Sequence, residues 1–208
     1  MPGKKLNLYL VGMPGAGKST VGKALARKFD LPFIDADHEI FKHTGVAIRT
    51  IFELEGEAGF RQRESQIIRE LSARQGILLA TGGGAILKKE NRDRLKQTGT
   101  VVYLHASLDH LWQRTRHDRR RPLLQSGNPR EVLKGLLDSR DALYRQTADV
   151  IIETGRQSVA TLVNELAGEL TRRQLWPPTC DSGDDAADTV AEAPFEMAPI
   201  NASARPPS

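Results

Sequence analysis

The chain has 208 residues, of which 30 are basic and 26 acidic, and its hydrophobic fraction of 39% suits one globular domain with some excess length. One cysteine and no apolar run of about 18 residues argue against a disulfide framework, a cysteine-based zinc site and a membrane span, so we expect a cytoplasmic protein. Residues 1–173 carry a net charge of +9 and residues 174–208 carry −5. The basic part suits an anionic ligand, either nucleic acid or a small phosphorylated molecule.

Short apolar segments alternate with helix-length segments between residues 6 and 173. The predicted strands are 6–11, 33–34, 77–80, 101–104 and 150–152. The predicted helices are a first stretch around Val21 to Lys28, followed by 57–74, 88–97, 108–116, 130–144 and 158–173. The strands are apolar throughout, which is typical of strands buried on both sides. The pattern predicts an α/β fold with a parallel sheet covered by helices on both faces, in which ligands bind at the carboxyl ends of the strands.

The last 35 residues differ in composition from the rest. They hold six of the eleven prolines and show no apolar periodicity. Such a segment cannot bury enough apolar surface to offset the entropy cost of ordering it. We therefore predict one domain over residues 1–173 and a disordered, acidic tail rich in proline and alanine over 174–208. The tail could instead dock on the basic domain or on a partner.

The strongest motif follows the first predicted strand. Residues 12–19 read GMPGAGKS, which fits G-x-x-x-x-G-K-[ST] in full and stands between a strand and a helix. The glycines allow backbone N–H groups to surround a phosphate, Lys18 can reach the β and γ phosphates, and Ser19 can ligate magnesium. A glycine-rich turn with only a structural role would not explain the lysine and the serine. The motif predicts a nucleotide site.

A carboxylate for the phosphoryl acceptor or for magnesium must come from another segment. The sequence lacks the aspartate and asparagine patterns of GTPases, because no aspartate stands three positions before a glycine and no asparagine precedes a lysine. The best source is the pair Asp35 and Asp37, which follows the second predicted strand. If the chain is extended there, both carboxylates face one cleft. They could instead be two solvated aspartates that cap the next helix.

Three weaker features are open to two interpretations each. Gly82, Gly83 and Gly84 let a ligand approach bare backbone or simply form a tight turn. Residues 114–124 contain five arginines and could form a lid, at about 114–126, that places a guanidinium on the phosphates. They could also be a solvated basic face or a nucleic-acid patch. Arg61 and Arg140 could each hold a carboxylate or form an ordinary surface ion pair.

Six segments, taken in order, resemble the shikimate kinase family of small P-loop kinases. They are 12–19, 33–37, 51–61, 80–84, 121–124 and 140–144. The resemblance implies a P-loop fold of the nucleoside-monophosphate-kinase type, with lid and substrate-binding segments. It also implies that the chain phosphorylates shikimate with ATP, giving shikimate 3-phosphate in the biosynthesis of chorismate and the aromatic amino acids. The tail is a departure from the family pattern.

The same resemblance assigns a role to each matching residue. The catalytic residues are Asp37, as the candidate base, and Lys18 and Arg121, on the transferring phosphate. Magnesium is held by Ser19 and, through water, by Asp35. The shikimate site consists of Asp37, Arg61, Gly82, Gly83, Gly84 and Arg140. The ATP contacts come from Gly15, Ala16, Gly17, Lys18, Ser19, Thr20, Arg114, Arg121 and Arg156.

We expect a monomer with two small-molecule substrates, ATP and shikimate, and with no nucleic-acid or membrane partner. Two other functions remain open. A neighbouring small P-loop kinase, acting on gluconate or a nucleoside monophosphate, would share the nucleotide motif but need different acceptor contacts. A nucleotide-dependent nucleic-acid-binding protein would explain the charge of +9 and would bind less tightly as salt is raised.

Overall fold

The computed structural model describes residues 7–116 and 128–176, and its centre is a parallel sheet of five strands. The strands are β1 (Asn7–Val11), β2 (Phe33–Asp35), β3 (Leu78–Ala80), β4 (Gly99–His105) and β5 (Val150–Glu153). They lie in the order β2-β3-β1-β4-β5, with Leu10 of β1 opposite Ala80 of β3 and Val102 of β4. Every strand pair is parallel, so the carboxyl ends of all five strands lie at one edge.

The helices of the described ranges pack on both faces of this sheet. They are α1 (Lys18–Phe29), α2 (Ala36–Thr44), α3 (Ile48–Ser72), α4 (Lys89–Thr98), α5 (Leu108–Thr115), α6 (Pro129–Thr147) and α7 (Val159–Arg172). Helices α1 and α7 contact each other on one face, and α4 and α6 contact each other on the other. None of the helices in the described ranges is long and apolar enough to cross a membrane. The predicted α/β fold with a covered parallel sheet is confirmed.

Two helical segments are absent from the sequence prediction. Helix α2 has nine residues and buries only Ala36 and Ile40, which is too sparse a pattern to recognise in the sequence. The first part of α3 precedes a sharp bend at Gly56, where φ is 67° and ψ is −173°. This bend interrupts the helical periodicity, so the sequence pattern predicts only the part after it.

An ion pair spans the bend in α3. Arg63 donates from Nε to Glu55 Oε2 at 2.9 Å and from Nη2 to Glu55 Oε1 at 2.7 Å. Residues eight apart in a straight helix are separated by about 12 Å along the axis, so this pair can form only because the helix bends. The pair fixes the angle between the two parts of α3 and so helps to position the second part, which carries Arg61.

A buried amide organises the opposite edge of the sheet. The Asn7 side chain donates to the hydroxyl of Tyr9 at 2.9 Å and to the carbonyl of Arg74 at 2.7 Å, and it accepts from the N–H of Ile77 at 3.1 Å. These bonds tie the segment after α3 to the start of β1. They lie at the amino end of the strands, away from the edge where ligands of parallel sheets bind.

The described chain continues past α7 to Trp176. The N–H groups of Leu175 and Trp176 donate to the carbonyl of Leu170, and the Trp176 ring lies 5.9 Å from that of Phe29. Residues 174–176, which the sequence analysis places in the tail, therefore pack on the domain. The rest of the predicted tail, 177–208, lies outside the described residues, as do residues 117–126 of the predicted lid, including Arg121.

We expect the substitution Trp176→Ala to destabilise the domain, because the side chain is only 5% exposed and its removal leaves a cavity against α1. The free energy of unfolding should fall by about 3 kcal/mol. Urea unfolding of the full chain, followed by circular dichroism, measures the change. Leu54→Ala is the control, since Leu54 is 67% exposed and its loss should change little. Equal midpoints for the parent and Trp176→Ala would show that the packing of Trp176 does not contribute.

Candidate active site

A cavity of about 430 Å³ lies at the carboxyl edge of the sheet. Its walls come from the loops after β1, β2, β3 and β5, which meet there because the strands are parallel. The lining residues are Gly15, Ala16, Gly17, Lys18, Ser19, Thr20, Val21, Asp35, Asp37, Thr81, Gly83, Arg114, Thr154, Gly155, Gln157, Val159 and Leu162. The cavity therefore joins the predicted nucleotide motif to the predicted carboxylates.

The loop between β1 and α1 forms an anion site. Gly17 has a φ of 98°, a left-handed conformation that glycine adopts without strain, and α1 begins at the next residue. The first N–H groups of a helix have no partner within the helix and carry a partial positive charge. Lys18 donates from Nζ to the carbonyls of Gly12 at 2.8 Å and Met13 at 3.0 Å, which holds its ammonium group over the loop. This arrangement suits a phosphate chain.

Asp35 connects the second strand to the nucleotide loop. Its Oδ2 accepts a hydrogen bond from the Ser19 hydroxyl at 2.6 Å, and its Oδ1 accepts from the N–H of Asp37 at 3.1 Å. Helix α2 begins at Ala36, so the chain is not extended between the two aspartates and the expected alignment of their carboxylates along a strand is wrong. Asp35 instead caps α2, because its carboxylate satisfies an N–H that the helix leaves unbonded. Both aspartates nevertheless line the cavity.

Ser19 and Asp35 provide the donor types that magnesium prefers. Their two oxygens are 2.6 Å apart and lie beside the phosphate loop. Among the described residues, no three His, Cys, Asp or Glu side chains are arranged to hold a metal ion. Magnesium in kinases is usually held by one or two carboxylates together with substrate phosphates and water, so this smaller donor set fits it.

The guanidinium of Arg61 is buried and bound by two carboxylates. It donates from Nη1 to Glu64 at 2.8 Å, and from Nε and Nη2 to one oxygen of Glu57 at 3.2 and 3.0 Å. These bonds use three of its five N–H groups. The group also lies against the backbone of Gly84, where a Cβ would stand 2.2 Å from Nη1. Only glycine at position 84 leaves room for the guanidinium.

Glu64 is a buried acid that the sequence analysis does not single out. Its side chain is 1% exposed, and its Oε1 has no hydrogen-bond partner within the described part of the chain. Burial raises the pKa of Glu64, and the positive charge of Arg61 opposes this rise. A Cβ at Gly82 would stand 2.3 Å from Glu64 Oε1 and 3.2 Å from Asp37 Oδ1. Glu64, which binds Arg61, and Asp37, the candidate base, therefore both lie against the backbone of Gly82.

Arg140 approaches the same region from α6. It is 4% exposed and donates from Nη1 to the carbonyl of Gly83 at 3.4 Å. The hydroxyl of Tyr144, one helical turn later, donates to the same carbonyl at 2.5 Å. Neither Arg61 nor Arg140 is the ordinary surface ion pair that the sequence left open, because both guanidinium groups are buried. Two buried guanidinium groups, from α3 and α6, therefore lie close to Asp37.

The other end of the cavity is more apolar. Arg114 donates to the carbonyl of Gly15 at 3.3 Å and to that of Gly155 at 2.7 Å, and so bridges the loops after β1 and β5. Val159 and Leu162 of α7 add apolar surface to this end.

The structure brings most of the predicted site residues together. Arg61, Gly82, Gly84 and Arg140 lie next to the lining, around Asp37 and Gly83. Arg156 is exposed and outside the lining, so its nucleotide contact stays a prediction, as does that of Arg121. The residues that sequence reasoning missed are Val21, Glu57, Glu64, Thr81, Tyr144, Thr154, Gly155, Gln157, Val159 and Leu162. Spacing could have suggested three of them, since Glu57, Glu64 and Tyr144 stand three or four positions from Arg61 or Arg140 on a helix.

Comparison with known proteins identifies the family. The family model for shikimate kinase matches residues 14–171. A shikimate kinase of Cupriavidus pinatubonensis is 54% identical over 182 residues, which cover 88% of this chain and 95% of that protein. The structure of a shikimate kinase from Acinetobacter baumannii in complex with shikimate matches with a TM-score of 0.79 at 47% identity, over 81% of this chain and 94% of that one.

A kinase of another specificity shares only the fold. A gluconokinase from Sinorhizobium meliloti matches with a TM-score of 0.54 at 22% identity, over 83% of this chain and 93% of that one. The family match covers residues 14–19 of the nucleotide loop and the segments that carry Asp37, Arg61 and Arg140, and so confirms the resemblance that the sequence motifs indicate. This chain belongs to the shikimate kinase family.

Proposed function

We propose that this chain transfers the γ-phosphoryl group of ATP to a hydroxyl group of shikimate, giving ADP and shikimate 3-phosphate. The observation that carries the proposal is the continuity of one site. The phosphate loop with Lys18 and the acid Asp37 line the same cavity, and the buried guanidinium groups of Arg61 and Arg140 lie beside it. Family membership supports the same reaction.

The acceptor end of the site matches the chemistry of shikimate, a small carboxylic acid with several hydroxyl groups. Arg61 retains two N–H groups beyond those bound to Glu57 and Glu64, and Arg140 makes one long bond to Gly83 and a contact with the Tyr144 hydroxyl. Both can therefore bind the substrate carboxylate through charge-assisted hydrogen bonds. This orients a hydroxyl group of the ring towards Asp37.

Asp37 is placed to accept the proton of that hydroxyl. The hydroxyl oxygen attacks the γ-phosphorus, the bond from this phosphorus to the β-γ bridging oxygen breaks, and the proton passes to the Asp37 carboxylate. Negative charge is spread over the phosphate oxygens in the transition state. Lys18 and the N–H groups at the start of α1 stabilise this charge without rearranging, because the fold already holds them there.

Magnesium would enter the site with ATP. Ser19 and Asp35 would hold it, Asp35 through water, and the bound ion would neutralise part of the phosphate charge. Arg114 would flank the base at the other end of the cavity. We also propose that Arg121, in the predicted lid, contacts the transferring phosphate when both substrates are bound.

We expect Asp37→Asn to lower the turnover number about 10²- to 10⁴-fold, because the amide cannot accept the proton. The assay couples ADP release to NADH oxidation and offers shikimate, gluconate and AMP separately, of which only shikimate should be used. Asp93→Asn is the matched control, since Asp93 pairs with Lys89 on the exposed surface of α4. Parental turnover of Asp37→Asn would exclude Asp37 as the base, and use of gluconate or AMP would exclude the proposed acceptor.

We expect Arg61→Ala to raise the KM for shikimate by about 10- to 100-fold, the loss that follows removal of a charge-assisted hydrogen bond. The dissociation constant of ADP should not change, because Arg61 does not line the nucleotide loop. Steady-state kinetics and titration calorimetry measure the two quantities. Arg49→Ala, on the exposed face of the same helix, should behave as the parent. A parental KM for the Arg61 variant would show that this guanidinium does not bind the acceptor.

We expect Arg121→Ala to uncouple the reaction in part. A lid that brings this arginine onto the phosphate also excludes water, so its loss should raise the ratio of ATP hydrolysis to shikimate phosphorylation. The ratio is measured by comparing phosphate release with formation of shikimate 3-phosphate. An unchanged ratio would show that Arg121 has no such gating role.

A further inference from the structure

We propose that the Tyr144 hydroxyl is a positioning group for the acceptor: it satisfies the carbonyl of Gly83 and so leaves the Arg140 guanidinium available for the carboxylate of the substrate. The proposal rests on the proposed function, because it concerns the same acceptor site. Tyr144 does not line the cavity, but its partner Gly83 does, so Tyr144 acts through other residues rather than on the substrate.

Tyr144 is held rigidly in the core. It is 0% exposed, and its ring stacks on that of Tyr103 with centroids 4.8 Å apart and planes 19° apart. Its hydroxyl lies 2.5 Å from the Gly83 carbonyl and 3.9 Å from Met13 Sδ. Burial raises the pKa of Tyr144, so the hydroxyl remains protonated and stays a donor at physiological pH.

The Gly83 carbonyl has two donors of unequal strength. Tyr144 makes the short bond, whereas the bond from Arg140 Nη1 is 3.4 Å long, at the limit of hydrogen bonding. A carbonyl that is partly withdrawn from water and has no donor is unfavourable. If the Tyr144 hydroxyl is removed, Arg140 becomes the nearest donor and is drawn towards the carbonyl. The same N–H group is then less available to an acceptor carboxylate.

The effect should be confined to the acceptor side. A Cβ at Gly83 would stand 2.9 Å from Pro14 Cδ, so the nucleotide loop blocks movement of this peptide in that direction. The groups that receive phosphate, from Gly15 to Thr20, make no contact with Tyr144 in the described bonds. Loss of the hydroxyl therefore changes the environment of Arg140 rather than the shape of the nucleotide site.

The first test is Tyr144→Phe, which removes only the hydroxyl. We expect the KM and the dissociation constant for shikimate to rise about tenfold, equivalent to about 1.4 kcal/mol. The KM for ATP and the dissociation constant of ADP should stay at parental values, and kcat should change less than about twofold. Tyr9→Phe is the matched control, since Tyr9 is also 0% exposed but its hydroxyl bonds to Thr98 and Asn7 at the opposite edge of the sheet. It should leave the KM for shikimate unchanged.

The second test combines Tyr144→Phe with Arg140→Ala. If Tyr144 acts through Arg140, the double variant binds shikimate no more weakly than Arg140→Ala alone, because the two losses are not additive. Additive effects, a parental KM for Tyr144→Phe, or equal weakening of shikimate and ADP would each overturn the role of Tyr144. If Arg140→Ala itself binds shikimate normally, the acceptor clamp of the proposed function is wrong, and the role of Tyr144 fails with it.

Discussion

The buried charge of Arg61 is the constraint around which the acceptor half of the site is built. A guanidinium withdrawn from water is unfavourable by several kcal/mol unless a carboxylate and further hydrogen bonds accompany it. Glu64, itself 1% exposed, supplies the carboxylate, and the bare backbone of Gly84 supplies the space. Asp37 completes the group from the first turn of α2. The need to compensate the buried charge of Arg61 therefore links residues that are far apart in the chain.

Three sets of short-range contacts join the acceptor half to the nucleotide half. Ser19, in the first turn of α1, donates to Asp35, which ends β2 and caps α2. Gly83 packs against Pro14 in the nucleotide loop, and Tyr144 reaches both Gly83 and Met13. The distance between the phosphate donor and the acceptor is thus set by backbone segments at the carboxyl ends of adjacent strands.

The sequence predicts the features that local pattern determines. The five strands and the phosphate loop at residues 12–19 could be predicted from the sequence. A buried strand needs a continuous run of apolar residues, and a phosphate loop needs glycine, lysine and serine at fixed spacing. The sequence analysis predicts that Asp35 and Asp37 face one cleft if the chain is extended between them. Both line the cavity, but the chain is not extended there, because α2 starts at Ala36. The sequence Asp-Ala-Asp is compatible both with an aspartate that caps a helix and with two aspartates on an extended strand. Only the backbone dihedral angles distinguish the two conformations.

The parts that the sequence could not predict depend on partners from other elements. Whether Arg61 and Arg140 are buried or exposed is decided by the helices and glycines that cover them, not by their own neighbours in the chain. The same holds for Tyr144, whose partner Gly83 is 61 positions away. Leu175 and Trp176 likewise belong to the domain because they contact Leu170 and Phe29, although the sequence analysis places them in the tail.

The packing of Trp176 on Phe29 also determines where the domain can be tethered. Phe29 is the last residue of α1, whose first residue adjoins the phosphate loop, and twelve helical residues span about 18 Å. The described part of the chain therefore ends at the far end of α1 from the cavity. A reporter protein or a solid support joined after Trp176 would be anchored on the side away from the catalytic opening, leaving substrate entry unobstructed at its point of attachment.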